Sequence, residues 1–80
     1  MRINVIGLGY IGLPTAALLA NRGYDVHGVD IVQSVVDTIN RGEIHIVEPD
    51  LDTFVKAAVN SGKLKADTKP TKADVFIIAV

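Results

Sequence analysis

Apolar positions along this chain follow two rhythms that alternate from one end to the other. Ile3, Val5 and Ile6 form a short strand-like run, after which Leu13, Ala16, Ala17 and Ala20 recur at helical spacing. Pro14 falls in the first helical turn, where its missing N–H is tolerated, and Gly23 is placed to close the helix. A second strand pattern runs from Tyr24 to Asp30. Val32, Val35, Val36 and Ile39 then mark one face of a second helix, which Asn40, Arg41 and Gly42 bring to an end. The segment after Pro49 predicts a third helix with the face Leu51, Phe54, Val55, Ala58 and Val59, with Asp50 as N-cap and Gly62 as its stop. Leu64, Ala66 and Thr68 alternate in a short third strand. Lys69 to Ala73 turn the chain into Val75 to Val80, a continuous apolar run of the kind found in strands buried on both faces.

This alternation predicts the α/β class, as a Rossmann-like doubly wound parallel sheet. Right-handed crossovers around a central first strand give about four strands in the order 3-2-1-4, with helices on both faces. Residues 1–80 then form a partial domain, because a full doubly wound sheet adds two further strands beyond the fourth. The fourth strand is left as an apolar edge, which predicts a homo-oligomer or a domain swap through Val75 to Val80.

Charge changes this picture little. The 8 basic and 9 acidic residues are mixed along the chain for a net charge of −1, so there is no electrostatic footprint for nucleic acid or an anionic membrane. No apolar run approaches the roughly 20 residues that span a bilayer, and the first residues lead into a strand without a charged leader, so a cytoplasmic location is expected. With no cysteine, these residues have no disulfide, Cys-based metal site or thiol nucleophile of their own.

The chemistry concentrates at the first strand-to-helix junction, Val5-Ile-Gly-Leu-Gly-Tyr-Ile-Gly12. Gly7 can take the backbone angles of an abrupt turn, Gly9 leaves room for a pyrophosphate to approach the backbone, and Gly12 lets the new helix lie close to the strand. The helix N-terminus then faces the anion with unpaired N–H groups, which suits the absence of any basic residue between Ile3 and Asn21. Asp30 ends the second strand 18 residues after Gly12, where a carboxylate grips the ribose diol of a dinucleotide. It also favours NAD over NADP, because it would repel a 2′-phosphate and Ile31, Val32 and Gln33 supply no compensating cation.

The run Val5-Ile-Gly-Leu-Gly-Tyr-Ile-Gly-Leu-Pro-Thr-Ala-Ala17 resembles the start of the nucleotide-sugar 6-dehydrogenase family, which includes UDP-glucose and GDP-mannose dehydrogenases. Asp37-Thr-Ile-Asn-Arg-Gly-Glu-Ile-His-Ile-Val-Glu-Pro-Asp-Leu51 is similar to one branch, the UDP-N-acetyl-D-mannosamine dehydrogenases of bacterial surface polysaccharide synthesis. Other branches tend to show a Pro-containing segment and Glu-Pro-Gly-Leu there, where this chain has His45 and Asp50. The resemblance implies NAD-dependent oxidation of a sugar C6 hydroxyl to a carboxylate by way of a catalytic cysteine, with a UDP-sugar substrate bound by the full-length enzyme. The thiol, its partners and the sugar-binding domain would lie beyond position 80, which makes this chain an N-terminal portion, inert alone. By matching positions, Gly7, Gly9, Tyr10, Ile11 and Gly12 would line the pyrophosphate loop and Asp30 would bind the adenosine ribose. Ala79 and Val80 would lie near the adenine-side crevice.

Other residues carry less chemistry. Glu48 and Asp50 flank Pro49 at a helix start, where capping and dipole stabilisation explain them better than a catalytic pair. His27 and His45 lack partners at ligand spacing, so no metal site is expected, and Lys63, Lys65, Lys69 and Lys72 read as a solvated face. Two further readings remain at this level: a stand-alone nucleotide-binding module, and a folding unit whose site is too loose to bind. FAD enzymes use a similar glycine loop and acidic residue, and only the resemblance beyond Gly12 separates them.

Overall fold

The structure is a computed structural model that describes residues 1–80. In chain order the elements are β1 (Arg2–Ile6), α1 (Gly12–Asn21), β2 (Asp25–Val29), α2 (Gln33–Asn40), α3 (Leu51–Asn60), β3 (Leu64–Asp67) and β4 (Val75–Ile78). The four strands are all parallel, in the order β3-β2-β1-β4, as the crossover rule predicts.

Strand alternation sorts the sheet into two unlike faces. The register aligns Ile3 with Val26 and Leu64, and Val5 with Gly28 and Ala66. The apolar members of these rows share one core with Leu13, Ala16, Ala17 and Ala20 of α1, Val36 and Ile39 of α2, and Leu51, Val55 and Ala58 of α3. All three helices therefore pack on the same face. The expected helices on both faces are not found in these residues, and the reason is topological. The steps β1→β2 and β2→β3 move the same way along the sheet, so right-handed crossovers deposit their helices on one side. The step from β3 back to β4 is the only one that crosses the other face, and it contains no helix.

A strap, residues 68–74, lies across that other face. The Asn4 side chain, fully buried, donates from Nδ2 to the Thr71 carbonyl at 2.6 Å. His27 Nε2 donates to the Lys69 carbonyl at 3.0 Å, which puts the ring proton on Nε2. The Arg2 N–H donates to Asp74 Oδ2 and the Asp74 N–H to the Arg2 carbonyl, both at 2.9 Å, which delivers the chain to β4.

Three details differ from the sequence expectation. β4 stops at Ile78, and instead of being buried on both faces it leaves Val75, Phe76 and Ile78 exposed, because the helices lie mainly over β1 to β3 and only Ile77 of β4 packs against the core. Asp50 occupies the N-cap position of α3 but makes no side-chain cap; its backbone is left-handed, with φ 64°. Such a backbone suits glycine, the residue that other branches of the resembled family place there. Val32 and Phe54, expected on buried helix faces, are both exposed. Val32 serves as the extended N-cap residue of α2, and Phe54 points away from the sheet.

Candidate functional site

At the C-terminal end of β1 the chain turns into α1 through residues 7–11, and close neighbours restrict both ends of this turn, at Gly7 and Gly12. Gly7 has φ 95°, and a Cβ there would come within 2.7 Å of the Ala79 carbonyl oxygen. A Cβ on Gly12 would collide with the Gly7 carbonyl and press on Ala79. The closeness that Gly12 permits is thus between the first residue of the helix and the end of β1, at the point where the continuation of β4 runs alongside. Ala79 and Val80 adjoin this turn, with the Ala79 N–H donating to the Ile6 carbonyl at 2.8 Å.

Gly9 is different. A Cβ on it would meet nothing within 4 Å, so its missing side chain leaves open space above the loop. Around that space the N–H groups of Gly9, Tyr10, Ile11 and Gly12 make no hydrogen bond within the protein. Four successive free donors at the positive end of a ten-residue helix give the chemistry of an anion cradle without a cationic side chain.

Asp30 closes the other side. Its Oδ2 accepts the Leu8 N–H at 3.1 Å and its Oδ1 accepts the Val32 N–H at 3.0 Å. The carboxylate is thereby held against the glycine loop and over the start of α2. An ionised carboxylate has about four acceptor positions, so two remain for a diol. The sequence reading placed Asp30 correctly at the end of β2 but missed that it also anchors the loop. It missed Leu8 entirely. This side chain, fully buried, fills the space that Gly28 leaves open, with its methyl groups 3.0 Å from where a Gly28 Cβ would sit. The signal was present as an apolar residue between two glycines and a glycine in the next strand, but only the folded chain brings Leu8 over Gly28.

Tyr10 and Ile11 enter the cradle through their backbone alone. Their side chains are 61% and 73% exposed, and the Tyr10 ring lines a separate groove beside α1.

The family model for the NAD binding domain of the UDP-glucose/GDP-mannose dehydrogenase family matches residues 1–80. The chain belongs to this family. NAD is accordingly the cofactor of the domain, and the open space over Gly9, the free donors and Asp30 fit a dinucleotide. The UDP-N-acetyl-D-mannosamine dehydrogenase of Escherichia coli K12 is 67% identical over 78 residues, which are 98% of this chain and 19% of that protein. The NDP-N-acetyl-D-galactosaminuronic acid dehydrogenase of Ralstonia nicotianae is 65% identical over 78 residues, 98% of this chain and 18% of that one. Among solved structures, the UDP-N-acetyl-mannosamine dehydrogenase Cap5O from Staphylococcus aureus superposes with a TM-score of 0.97 at 50% identity, covering 100% of this chain and 19% of that one. This nucleotide-sugar dehydrogenase domain thus spans about a fifth of the length of the relatives it matches. None of its helices is long and apolar enough to cross a membrane.

Proposed function

We propose that Gly7, Gly9, Tyr10, Ile11, Gly12 and Asp30 form the adenosine and pyrophosphate half of the NAD site. The run of free amides beside the open space at Gly9 carries this reading, because successive unpaired donors at a helix N-terminus suit an anionic oxygen cluster. Gly7 and Gly12 allow the turn, the amides of Gly9 to Gly12 hold the pyrophosphate, and Asp30 accepts the ribose hydroxyls. Bound NAD supplies hydride acceptance; this chain's part is to bind and orient it.

Residues 1–80 are, on this proposal, a partial NAD-binding Rossmann domain of a longer cytoplasmic oxidoreductase. That enzyme oxidises UDP-N-acetylmannosamine to its uronic acid for polysaccharide synthesis. The mannosamine assignment rests on the 67% identity to the Escherichia coli enzyme. A second reading, an N-acetylgalactosamine-type sugar nucleotide, is favoured by the 65% identity to the Ralstonia protein, and UDP-glucose is a more distant third. The 80 residues contain no cysteine, so thiol chemistry at the sugar belongs elsewhere in such an enzyme and the chain alone is inert. Self-association through the open edge from Val75 to Val80 completes the proposal; Val75, Phe76, Ile78 and Val80 are its exposed apolar residues.

The test is calorimetric titration of NAD⁺ into the chain, with NADP⁺ and the Asp30→Ala variant as controls. Saturable NAD⁺ binding, weakened at least tenfold by Asp30→Ala and by the 2′-phosphate, is expected. Binding that ignores both changes would remove Asp30 from the site.

A further inference from the structure

Gly28 has no backbone reason to be glycine. It sits inside β2 and is not among the glycines with positive φ, so other residues could adopt its conformation. A glycine within a strand otherwise marks a place where another group comes close. Here that group is Leu8. A Cβ added at position 28 would stand 3.0 Å from both Leu8 methyl groups and 3.5 Å from its Cγ. The two methyls straddle the position, so turning the side chain about χ2 exchanges one contact for the other. Leu8 is also fully buried in the core, which leaves its backbone as the part that must give way.

That backbone is tied to β2 at the next two positions of the strand. The Gly7 N–H donates to the Val29 carbonyl at 2.7 Å, and the Leu8 N–H donates to Asp30 Oδ2 at 3.1 Å. Residues 28 to 30 thus hold residues 7 and 8 of the loop in three ways: by shape, by a backbone bond and by a carboxylate. The four N–H groups that follow, from Gly9 to Gly12, have no partner within the protein. They are held between α1 on one side and this attachment on the other.

We propose that Leu8 is a positioning residue for the cofactor. Its side chain, seated on Gly28, and its N–H, bound by Asp30, set the donors of Gly9 to Gly12 in place before a dinucleotide arrives. The bond between Leu8 and Asp30 joins the pyrophosphate loop and the ribose carboxylate into one unit, so a shift of either displaces the other. A loop already in its binding shape loses no affinity to ordering, whereas one in place for a tenth of the time binds about tenfold more weakly. The inference rests on the NAD reading for the identity of the ligand, but the attachment of the loop to β2 is a property of the free chain.

Amide hydrogen exchange followed by NMR on the ligand-free chain, with NAD⁺ titration of the same samples, tests the proposal. The reference amide is Val26, which donates to the Lys63 carbonyl from the same strand. In Gly28→Ala, exchange at residue 8 should speed up about tenfold more than at Val26, whereas a general loss of stability would speed both alike. NAD⁺ affinity should fall about tenfold in samples that remain folded. The double variant Gly28→Ala/Leu8→Ala, which removes the obstructing methyls, should bind at least about threefold more tightly than Gly28→Ala and slow exchange at residue 8 again. Leu8→Ala alone adds no bulk and serves where Gly28→Ala does not fold; its residue 8 amide should gain about threefold on Val26. Equal acceleration at the two amides, a double variant no better than Gly28→Ala, or unchanged NAD⁺ affinity in a variant whose residue 8 amide is freed would each overturn the proposal. A parent chain and variants that show this exchange pattern but take up no NAD⁺ would support the attachment and overturn the NAD half-site instead.

Discussion

The sheet has two edges of equal length, β3 and β4, each a strand of four residues, and they meet solvent in opposite ways. On β3 the side chains alternate, with Leu64 and Ala66 buried and Lys65 and Asp67 outside. Its outward backbone is also occupied. Asn40, at the end of α2, donates from Nδ2 to the Ala66 carbonyl at 3.0 Å and accepts the Ala66 N–H at Oδ1 at 2.9 Å, so one side-chain amide stands in for a neighbouring strand. β4 has neither device. It is apolar throughout, only Ile77 packs against the core, and Ile78 is 65% exposed although its ladder partner Ile6 is half-buried. An edge is made safe by charges and by a capped backbone, and an apolar strand without either is a surface that favours pairing.

Replacing matched residues on the two edges should give the largest contrast. Leu64→Ala should cost about 3 kcal/mol in urea denaturation, because the side chain is 1% exposed at the junction of β3 with the core. Ile78→Ala on β4 should cost about 0.5 kcal/mol, in keeping with an exposed position. Equal losses would show that β4 is covered in solution. Next in size is Asn40→Ala, which strips both outward hydrogen bonds from Ala66 and should cost about 2 kcal/mol, with faster amide exchange at Ala66 as its signature. Ile78→Lys should leave the denaturation midpoint nearly unchanged but reduce any association through β4, read by light scattering. A small effect of opposite sign is expected at the start of α3, which helps to cover the protected half of the sheet. Asp50→Gly should stabilise by about 0.5 kcal/mol by relieving the left-handed backbone, partly offset by the greater freedom of glycine in the unfolded chain.

Asn40 shows well where sequence reasoning reaches its limit. As a polar residue before Arg41 and Gly42 it reads as a helix stop, and it is one. Its second role depends on Ala66, which lies 26 positions further along and is brought near only by the crossover. Leu8 and Gly28 form a pair of the same kind, as do Asp30 and Leu8. Elements with local signals were legible: all three helices and four strands occur where the apolar rhythm and the glycine stops placed them, with ends shifted by a residue or two. Phe54 was misplaced because helical spacing identifies a stripe but not its width, and Val32 because it lies just before the helix in extended backbone. The run Val75 to Val80 was read as doubly buried because composition records the burial a strand is suited to. The neighbours determine the burial it receives.

The sequence by itself determined the alternation of elements, the glycine turn with its helix, the acidic residue closing the second strand and, through these, the parallel order β3-β2-β1-β4. Each of these follows from backbone sterics, side-chain periodicity and the handedness of crossovers, which act over a few residues or one connection. Only the tertiary structure decided that the helices share one face, that a strap held by Asn4 and His27 covers part of the other, and that Asp30 anchors the loop it was expected to serve. It alone also brought Tyr10, Leu18 and Phe54 into one groove. Those outcomes depend on which distant residues become neighbours, and that is set by packing the whole chain at once.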